Sequence, residues 1–292
     1  MNSNLPYDSR NEQHSSLDVT ASIVMYNNPI PMVQKAVQSF LNTPRKIKLY
    51  LIDNSPTDQL RILSTADNRI HYIHNPSNPG FGAAHNIALK KAITDKSPYH
   101  LVLNPDVYFN QGVMEKIIDY MDQHTDVGLL MPKVLYPDGT IQRVAKLLPT
   151  PFDLFARRLL PLKGFVKRQN DLYELAFFNY NAIAEIPFIT GCFMFLRTET
   201  LEKVGLFDEK IFMYLEDADL SRRISKVAKT ILYPNVSITH EYQRGLYKNR
   251  KLLLISLHSA LVYFNKYGWF FDSYRKKINS KTLETLSKAD HQ

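Results

Sequence analysis

Short apolar runs that alternate with segments of helical period constrain this chain more than any other feature, because each run gives way abruptly to a turn. Val19 to Met25, Lys48 to Ile52, Ile70 to His74 and Tyr99 to Leu103 are strand candidates. Between them, Pro31 to Leu41 carries Val33, Val37, Phe40 and Leu41 at helical spacing, and a second helix is expected from about Ala83 to Thr94. Strands alternating with helices across short turns predict an α/β fold, with a mostly parallel sheet and helices on both faces. Tyr99 to Leu103 has no polar interruption and is expected to be buried on both sides.

In such a sheet, ligands bind in the crevice just past the carboxyl ends of the strands. Carboxylates stand at those places here: Asp53 after Tyr50-Leu51-Ile52, Asp106 after Leu101-Val102-Leu103-Asn104-Pro105, and the cluster Glu216-Asp217-Ala218-Asp219. Several carboxylates facing one pocket suit a metal, a base, or both.

The second half of the chain changes character. A helix at Val113 to His124 and a strand at Gly128 to Met131 precede Tyr136-Pro137-Asp138-Gly139, a hairpin signal. Residues 145–185 read as an irregular, basic and aromatic insertion on the acceptor side. Ile186 to Leu196 reads as a strand broken at Gly191, Glu216 to Val227 as a short helix, and Thr230 to His240 as the last strand. The organisation expected is a polar tail over 1–17, a catalytic domain over 18–245 and a C-terminal helical segment over 246–292.

Composition narrows the function. With 292 residues and 45% hydrophobic content, the chain can bury one large core. The single cysteine, Cys192, excludes an internal disulfide and fits a reducing compartment. The first eighteen residues lack the apolar stretch of a secretory signal, so a cytoplasmic location is expected. A formal charge of +8 invites nucleic acid, an anionic membrane or a phosphorylated ligand. Nucleic acid is disfavoured, since neither a zinc-finger spacing nor an RNP-like motif is present. Basic residues instead gather with aromatics and leucines over 152–168 and 248–271. Both tracts read either as amphipathic helices on the core or as a peripheral contact with the inner face of the cytoplasmic membrane; His258, Asn265 and Lys266 interrupt the second too often for a membrane span.

Ser22-Ile23-Val24-Met25-Tyr26-Asn27, Ile52-Asp53-Asn54-Ser55, Asn78-Pro79-Gly80-Phe81-Gly82-Ala83-Ala84-His85-Asn86, Leu103-Asn104-Pro105-Asp106, Thr190-Gly191-Cys192 and Tyr214-Leu215-Glu216-Asp217-Ala218-Asp219-Leu220 follow one another in an order that resembles family 2 glycosyltransferases. The likeness runs from about residue 19 to 245 and is nearest to bacterial rhamnosyltransferase-like enzymes of O-antigen and capsule assembly. It implies a GT-A fold, a nucleotide-diphosphate sugar donor such as dTDP-rhamnose, Mg²⁺ or Mn²⁺, and inversion at the anomeric carbon. It also implies a glycan or polyprenyl-diphosphate-linked acceptor.

Carried onto this sequence, the resemblance makes Asp53 the nucleobase or ribose acceptor, with Asn54 beside it and Tyr26 and Asn27 flanking the base. Gly80, Gly82 and Asn86 belong to a loop that would bring backbone amides to the diphosphate at a helix start. Asp106 is the metal ligand. The family's usual Asp-X-Asp here reads Asn104-Pro105-Asp106, so Asn104 keeps an oxygen and loses a charge. Asp217 is the general base and Glu216 its reserve; Asp219 would pair with Arg222 or Arg223 along the helix. His240 could ligate the metal or bind a phosphate oxygen, and Arg244 and Lys248 could neutralise the pyrophosphate. Gly191 brings backbone close to the substrates, and Cys192 fills space.

Two other classes meet part of this pattern. A nucleotidyltransferase would carry a Gly-rich basic loop after the first strand, where this chain has Tyr26-Asn27-Asn28-Pro29. A non-catalytic nucleotide- or glycan-binding protein would not need both Asp106 and Asp217.

Overall fold

The structure is a computed structural model that describes residues 17–159, 163–241 and 250–289. Strands β1 (Val19–Met25), β2 (Ile47–Asp53), β3 (Ile70–His74) and β4 (Tyr99–Leu103) are joined by helix α1 (Ile30–Leu41), a 3₁₀ turn at Gln59–Thr65 and helix α2 (Phe81–Thr94). The strand β5 (Val107–Tyr108), helix α3 (Val113–Gln123) and strand β6 (Val127–Leu135) follow. Next come β7 (Ala145–Lys146), α4 (Pro151–Leu159), α5 (Lys163–Tyr173), β8 (Ala184–Glu185), β9 (Phe188–Ile189) and β10 (Phe193–Arg197). Helices α6 (Thr198–Val204) and α7 (Glu216–Ile224), strand β11 (Lys229–His240), and helices α8 (Arg250–Tyr267) and α9 (Ser273–Ala289) complete the order.

The main sheet runs β3-β2-β1-β4-β10-β6-β11-β5, with β8 added on β11. Pairings among β1 to β4 are parallel, and so is β6 with β11. Strand β10 lies antiparallel between β4 and β6. Two antiparallel steps restore direction, so β6 and β11 run the same way as β1 to β4, and the sheet is mostly parallel as expected.

Double-sided burial follows from the side-chain period of two. On β2, Leu49 and Leu51 join the large core that takes in Val33, Ala36, Val37 and Phe40 of α1. Tyr50 and Ile52 point the other way, onto Ala84 and Ala88 of α2. The small residues of α2 let that helix lie close to the sheet.

Two expectations need correction. Residues 145–185 are not irregular, because the basic and aromatic residues there build α4 and α5. The run 186–196 is not one interrupted strand: β9 pairs with β7 in a separate two-stranded sheet, and only β10 enters the main one. Of the second basic tract, 250–267 form helix α8, which packs on the core through Ser259, Ala260, Tyr263 and Phe264, in keeping with the amphipathic-helix reading. No helix among the described residues is long and apolar enough to cross a membrane.

Buried charge ties α8 and α9 to the sheet domain. Asp219, fully buried, accepts from Arg223 Nε at 2.8 Å, Lys266 Nζ at 2.7 Å and Tyr267 Oη at 2.6 Å. The intrahelical pair expected for Asp219 is therefore with Arg223. Arg222 instead donates two hydrogen bonds to Asp272, at 2.5 and 2.8 Å, and stacks over Tyr267 with 3.9 Å to the ring centroid. Removing one member of a pair this buried leaves the other charge uncompensated. We expect Arg222→Met to cost about 3 kcal/mol in urea unfolding, where an exposed pair such as Lys203–Glu199 would cost under about 1 kcal/mol.

Candidate active site at the carboxyl edge of the sheet

Strand register brings the sequence motifs to one edge. Met25 is level with Asp53, and Ile23 with Leu103, so Tyr26-Asn27, Asp53-Asn54 and Asn104-Asp106 leave the sheet side by side. Phe193 pairs with Leu103, and the Asn104 N–H donates to the Cys192 carbonyl at 2.9 Å. That places the 190–192 break at the same edge. His240 pairs with Val107 and closes the far side.

Asp53 is fully buried and already engaged. The Ser55 N–H donates to Oδ1 at 3.0 Å and the Tyr72 hydroxyl to Oδ2 at 2.6 Å. Burial, and then the Asp53 carboxylate, push the Tyr72 pKa up, which keeps that hydroxyl a donor. Asn54 takes the Asn75 amide at 2.8 Å and donates to Asn78 at 3.3 Å. Asn27 holds a left-handed φ of 52° and donates its N–H to Ser55 Oγ at 2.8 Å, while Tyr26 is half-exposed at the rim. Tyr72, which locks Asp53, was not legible in advance; a tyrosine inside a strand carries no signal beyond strand propensity.

The glycine loop packs against the protein's own chain. A Cβ on Gly80, whose φ is +106°, would sit 2.3 Å from the Phe212 carbonyl oxygen, and one on Gly82 would sit 2.7 Å from Phe207 Cβ. The Phe81 N–H donates to Phe212 O at 2.8 Å. These glycines make room for the protein's own segment 206–215. Asn86 serves the same end: its Nδ2 donates to Phe207 O at 3.0 Å and Glu209 Oε1 at 2.9 Å, and its Oδ1 accepts the Phe207 N–H at 3.0 Å. His85 turns into the sheet, where Ser22 Oγ lies 2.7 Å from its Nδ1 and 2.8 Å from His100 Nε2. Burial holds both imidazoles neutral, lowering His100 to about 3.

Asp106 and His240 come together, with 3.3 Å between Oδ1 and Nε2. That oxygen is buried and lacks a hydrogen bond of good geometry. The other ring nitrogen, Nδ1, lies 2.6 Å from Gln142 Oε1, and as Oε1 can only accept, Nδ1 carries a proton. Burial opposes charge on this ring, but Cys192 and Asp106 outweigh it and push the His240 pKa up to about 10, so a cation bound here would displace the Nε2 proton. A divalent cation with ligands at roughly 2.1 Å in octahedral geometry sets neighbouring ligand atoms about 3.0 Å apart, so the Asp106–His240 pair fits two adjacent positions. Among the described residues no group of three or more His, Cys, Asp and Glu is placed to hold a metal. A cation here needs further oxygens from a bound phosphate.

Asp217, at the start of α7, meets the 190–192 turn, whose Cys192 adjoins His240. Tyr214 and Leu215, with φ of 70° and 73°, hold consecutive left-handed conformations just before the helix. Two such non-glycine residues in a row are strained, and strain of this kind concentrates at functional sites. The Gly191 N–H donates to Asp217 Oδ2 and the Ala218 N–H to Oδ1, both at 2.8 Å. Ser221 Oγ donates to Ile189 O at 3.3 Å and staples α7 to β9. Burial raises the Asp217 pKa against those two N–H groups and the nearby Lys146 charge. Glu216 goes well above the ordinary carboxylate range, through burial and then through Asp217. Its Oε2 is buried without a partner. Asp217 therefore ionises first.

Gln142 and Lys146 are the residues that sequence reasoning missed. They lie four apart on the segment returning from the Tyr136–Thr140 turn, Lys146 in β7, and Gln142 reaches His240 while the Lys146 charge acts on Asp217. Nothing in a lone glutamine or lysine marks this before the hairpin is placed. Arg244 and Lys248 lie outside the described residues. Replacing Asn86 by Ala unpairs both the N–H and the carbonyl of Phe207 and is expected to cost about 1–3 kcal/mol in chemical denaturation, with faster amide exchange at Phe207 than in the wild type.

Residues 20–205 match the model of Glycosyl transferase family 2. The chain is 24% identical over 271 residues, 87% of each protein, to an N-acetylglucosaminyl-diphospho-decaprenol L-rhamnosyltransferase of Mycobacterium tuberculosis. It is 24% identical over 174 residues, 59% of this chain and 52% of the relative, to the low-salt glycan biosynthesis hexosyltransferase Agl10 of Haloferax volcanii. Among solved structures, GalNAc-T7 with UDP, GalNAc and Mn²⁺ superposes with a TM-score of 0.60 at 15% identity, over 78% of this chain and 44% of that one. S. aureus TarS 1-349 in complex with UDP superposes at 0.56 and 15% identity, over 91% and 71%. The fold is GT-A, and the chain is a glycosyltransferase that belongs to family 2.

Proposed function

We propose that this chain is an inverting transferase that moves L-rhamnose from dTDP-rhamnose to a polyprenyl-diphosphate-linked glycan in surface polysaccharide assembly, working at the inner face of the cytoplasmic membrane. The observation that carries the mechanism is the Asp217 carboxylate, held by two backbone N–H groups at the sheet edge with its pKa raised by burial. The name of the mycobacterial relative, matched over 87% of both chains, supports the donor and the acceptor class.

In this reading Asp217 takes the proton from the acceptor hydroxyl as that oxygen attacks the anomeric carbon and the nucleoside diphosphate departs. An inverting transfer is one displacement, so one ionised carboxylate suffices; Glu216, kept neutral, only withholds a second charge. Gly191 contributes its N–H to the base and, having no side chain, leaves Phe81 and Asp217 within about 3.5 Å of where a Cβ would stand. Asp106 and His240 would hold Mg²⁺ or Mn²⁺, which when bound offsets the charge of the leaving diphosphate. Gln142 fixes the His240 ring so that Nε2 faces Asp106. Asp53, kept in place by Ser55 and Tyr72, and Tyr26 at the rim form the nucleobase end, with Asn27, Asn54 and Asn104 around them.

The donor is tested by incubating the protein with dTDP-rhamnose, UDP-glucose and UDP-N-acetylglucosamine in turn, with a diphospholipid-linked N-acetylglucosamine acceptor. Rhamnosyl transfer alone supports the reading, transfer from a UDP-sugar moves the assignment to another donor, and pyrophosphate as product would indicate a nucleotidyltransferase.

Three further outcomes are expected. Asp217→Asn should lower kcat by about 100- to 10,000-fold while the nucleotide still binds. In the wild type, kcat/KM should fall as pH drops through the raised Asp217 pKa, because the base works only when ionised, so the acid limb lies above the ordinary aspartate value of about 3.9. Gln142→Leu should weaken Mn²⁺ binding in the presence of dTDP by about 10- to 100-fold, read by electron paramagnetic resonance, and Asp106→Ala by at least as much. Unchanged Mn²⁺ affinity in both variants would remove the metal from this site.

A further inference from the structure

Helix α8 presents one stripe outward. Leu254 and Leu261 are 67% and 48% exposed, and His258 and Asn265 continue the stripe at helical spacing. It ends at Gly268, whose φ of +97° turns the chain so tightly that a Cβ would lie 2.6 Å from the Phe271 carbonyl oxygen. Trp269 folds back, its ring 5.1 Å from that of Phe264 and its Nε1 donating to Asn265 at 2.9 Å. Phe270 and Phe271 have no such contact and stand 79% and 95% exposed at the tip of the turn.

The surroundings are cationic. Residues 250–289 hold eight Lys and Arg against two acidic residues, which accounts for six of the chain's formal +8. Lys266, Arg275 and Lys281 are committed to ion pairs. Lys276 and Lys277 are exposed and, among the described residues, make no ion pair; they start α9 just past the phenylalanines. A second copy of the chain would bring like charge against like charge on this face. An apolar tip rimmed by lysines complements an anionic bilayer, whose headgroup region accepts aromatic rings while its surface attracts cations.

We propose that the 268–272 turn and the first turns of α9 dock this chain on an anionic lipid surface, with Phe270 and Phe271 entering the headgroup region. This deepens the reading of a membrane-borne acceptor given above by naming the surface that meets the membrane.

The full chain would be titrated with phosphatidylcholine vesicles and with vesicles that also contain phosphatidylglycerol. The chain's only tryptophan, Trp269, adjoins Phe270 and reports contact by its emission. A blue shift and co-sedimentation with the anionic vesicles are expected, weakened about tenfold or more by Phe270→Ser with Phe271→Ser and, separately, by Lys276→Glu with Lys277→Glu. Both double variants should unfold at the wild-type temperature and transfer sugar to a detergent-soluble acceptor at the wild-type rate. Vesicle binding that both variants retain would overturn the proposal, as would no binding by the wild type. A dimer in light scattering that the phenylalanine variant abolishes would assign the tip to a second copy. Vesicle binding without sugar transfer would leave this surface standing and remove the function proposed above.

Discussion

Strands β1, β2 and β4 have no wet face. Side chains cover them from both sides, α1 and its neighbours on one and α2 on the other, so apart from the buried Ser22–His85–His100 cluster the polar groups gather at the edge where the strands end. The parallel register puts Met25, Asp53 and Leu103 at nearly one level, and the residues that follow them form the floor of the site. Because β10 is antiparallel, it begins where the others stop. The Gly191 N–H thus reaches Asp217, and the proposed base is oriented from the start of a strand that runs against its neighbours in the sheet.

The second requirement is a way to hold α7 against that edge. Segment 206–215 does this by packing into the space left by Gly80 and Gly82 and by gripping Asn86. It ends in two left-handed residues that deliver Glu216 and Asp217 into the pocket. Buried ion pairs from Asp219 and Arg222 to α8 and α9 fix the same helix from outside. The helical segment after β11 therefore braces the catalytic helix, while its tip remains apolar and exposed. The element that braces α7 thus also carries the turn proposed to meet a lipid surface.

Most of the frame was legible in the sequence because its periodicity is unambiguous. The strands at Ile70–His74 and Tyr99–Leu103 fall where the apolar runs predict, and α1 begins one residue before Pro31. What escaped depends on tertiary placement. The glycines of Asn78 to Asn86 signal close approach of another group, but a sequence does not say whether that group is a ligand or Phe212. Residues 145–185 read both as an irregular insertion and, over 152–168, as an amphipathic helix, and where α4 ends and α5 begins was not marked in the sequence. Gln142 and Tyr72 matter through a single hydrogen bond each, to His240 and Asp53, and such partners exist only once distant strands are brought together.

The central claim is that one ionised carboxylate, Asp217, drives a single displacement at the sugar. The anomeric configuration of the product, read by proton NMR on sugar newly transferred from a donor of known configuration, tests it most directly. The account predicts inversion. Retention would require a second displacement through a covalent or ion-paired intermediate, and would contradict the role assigned to Asp217.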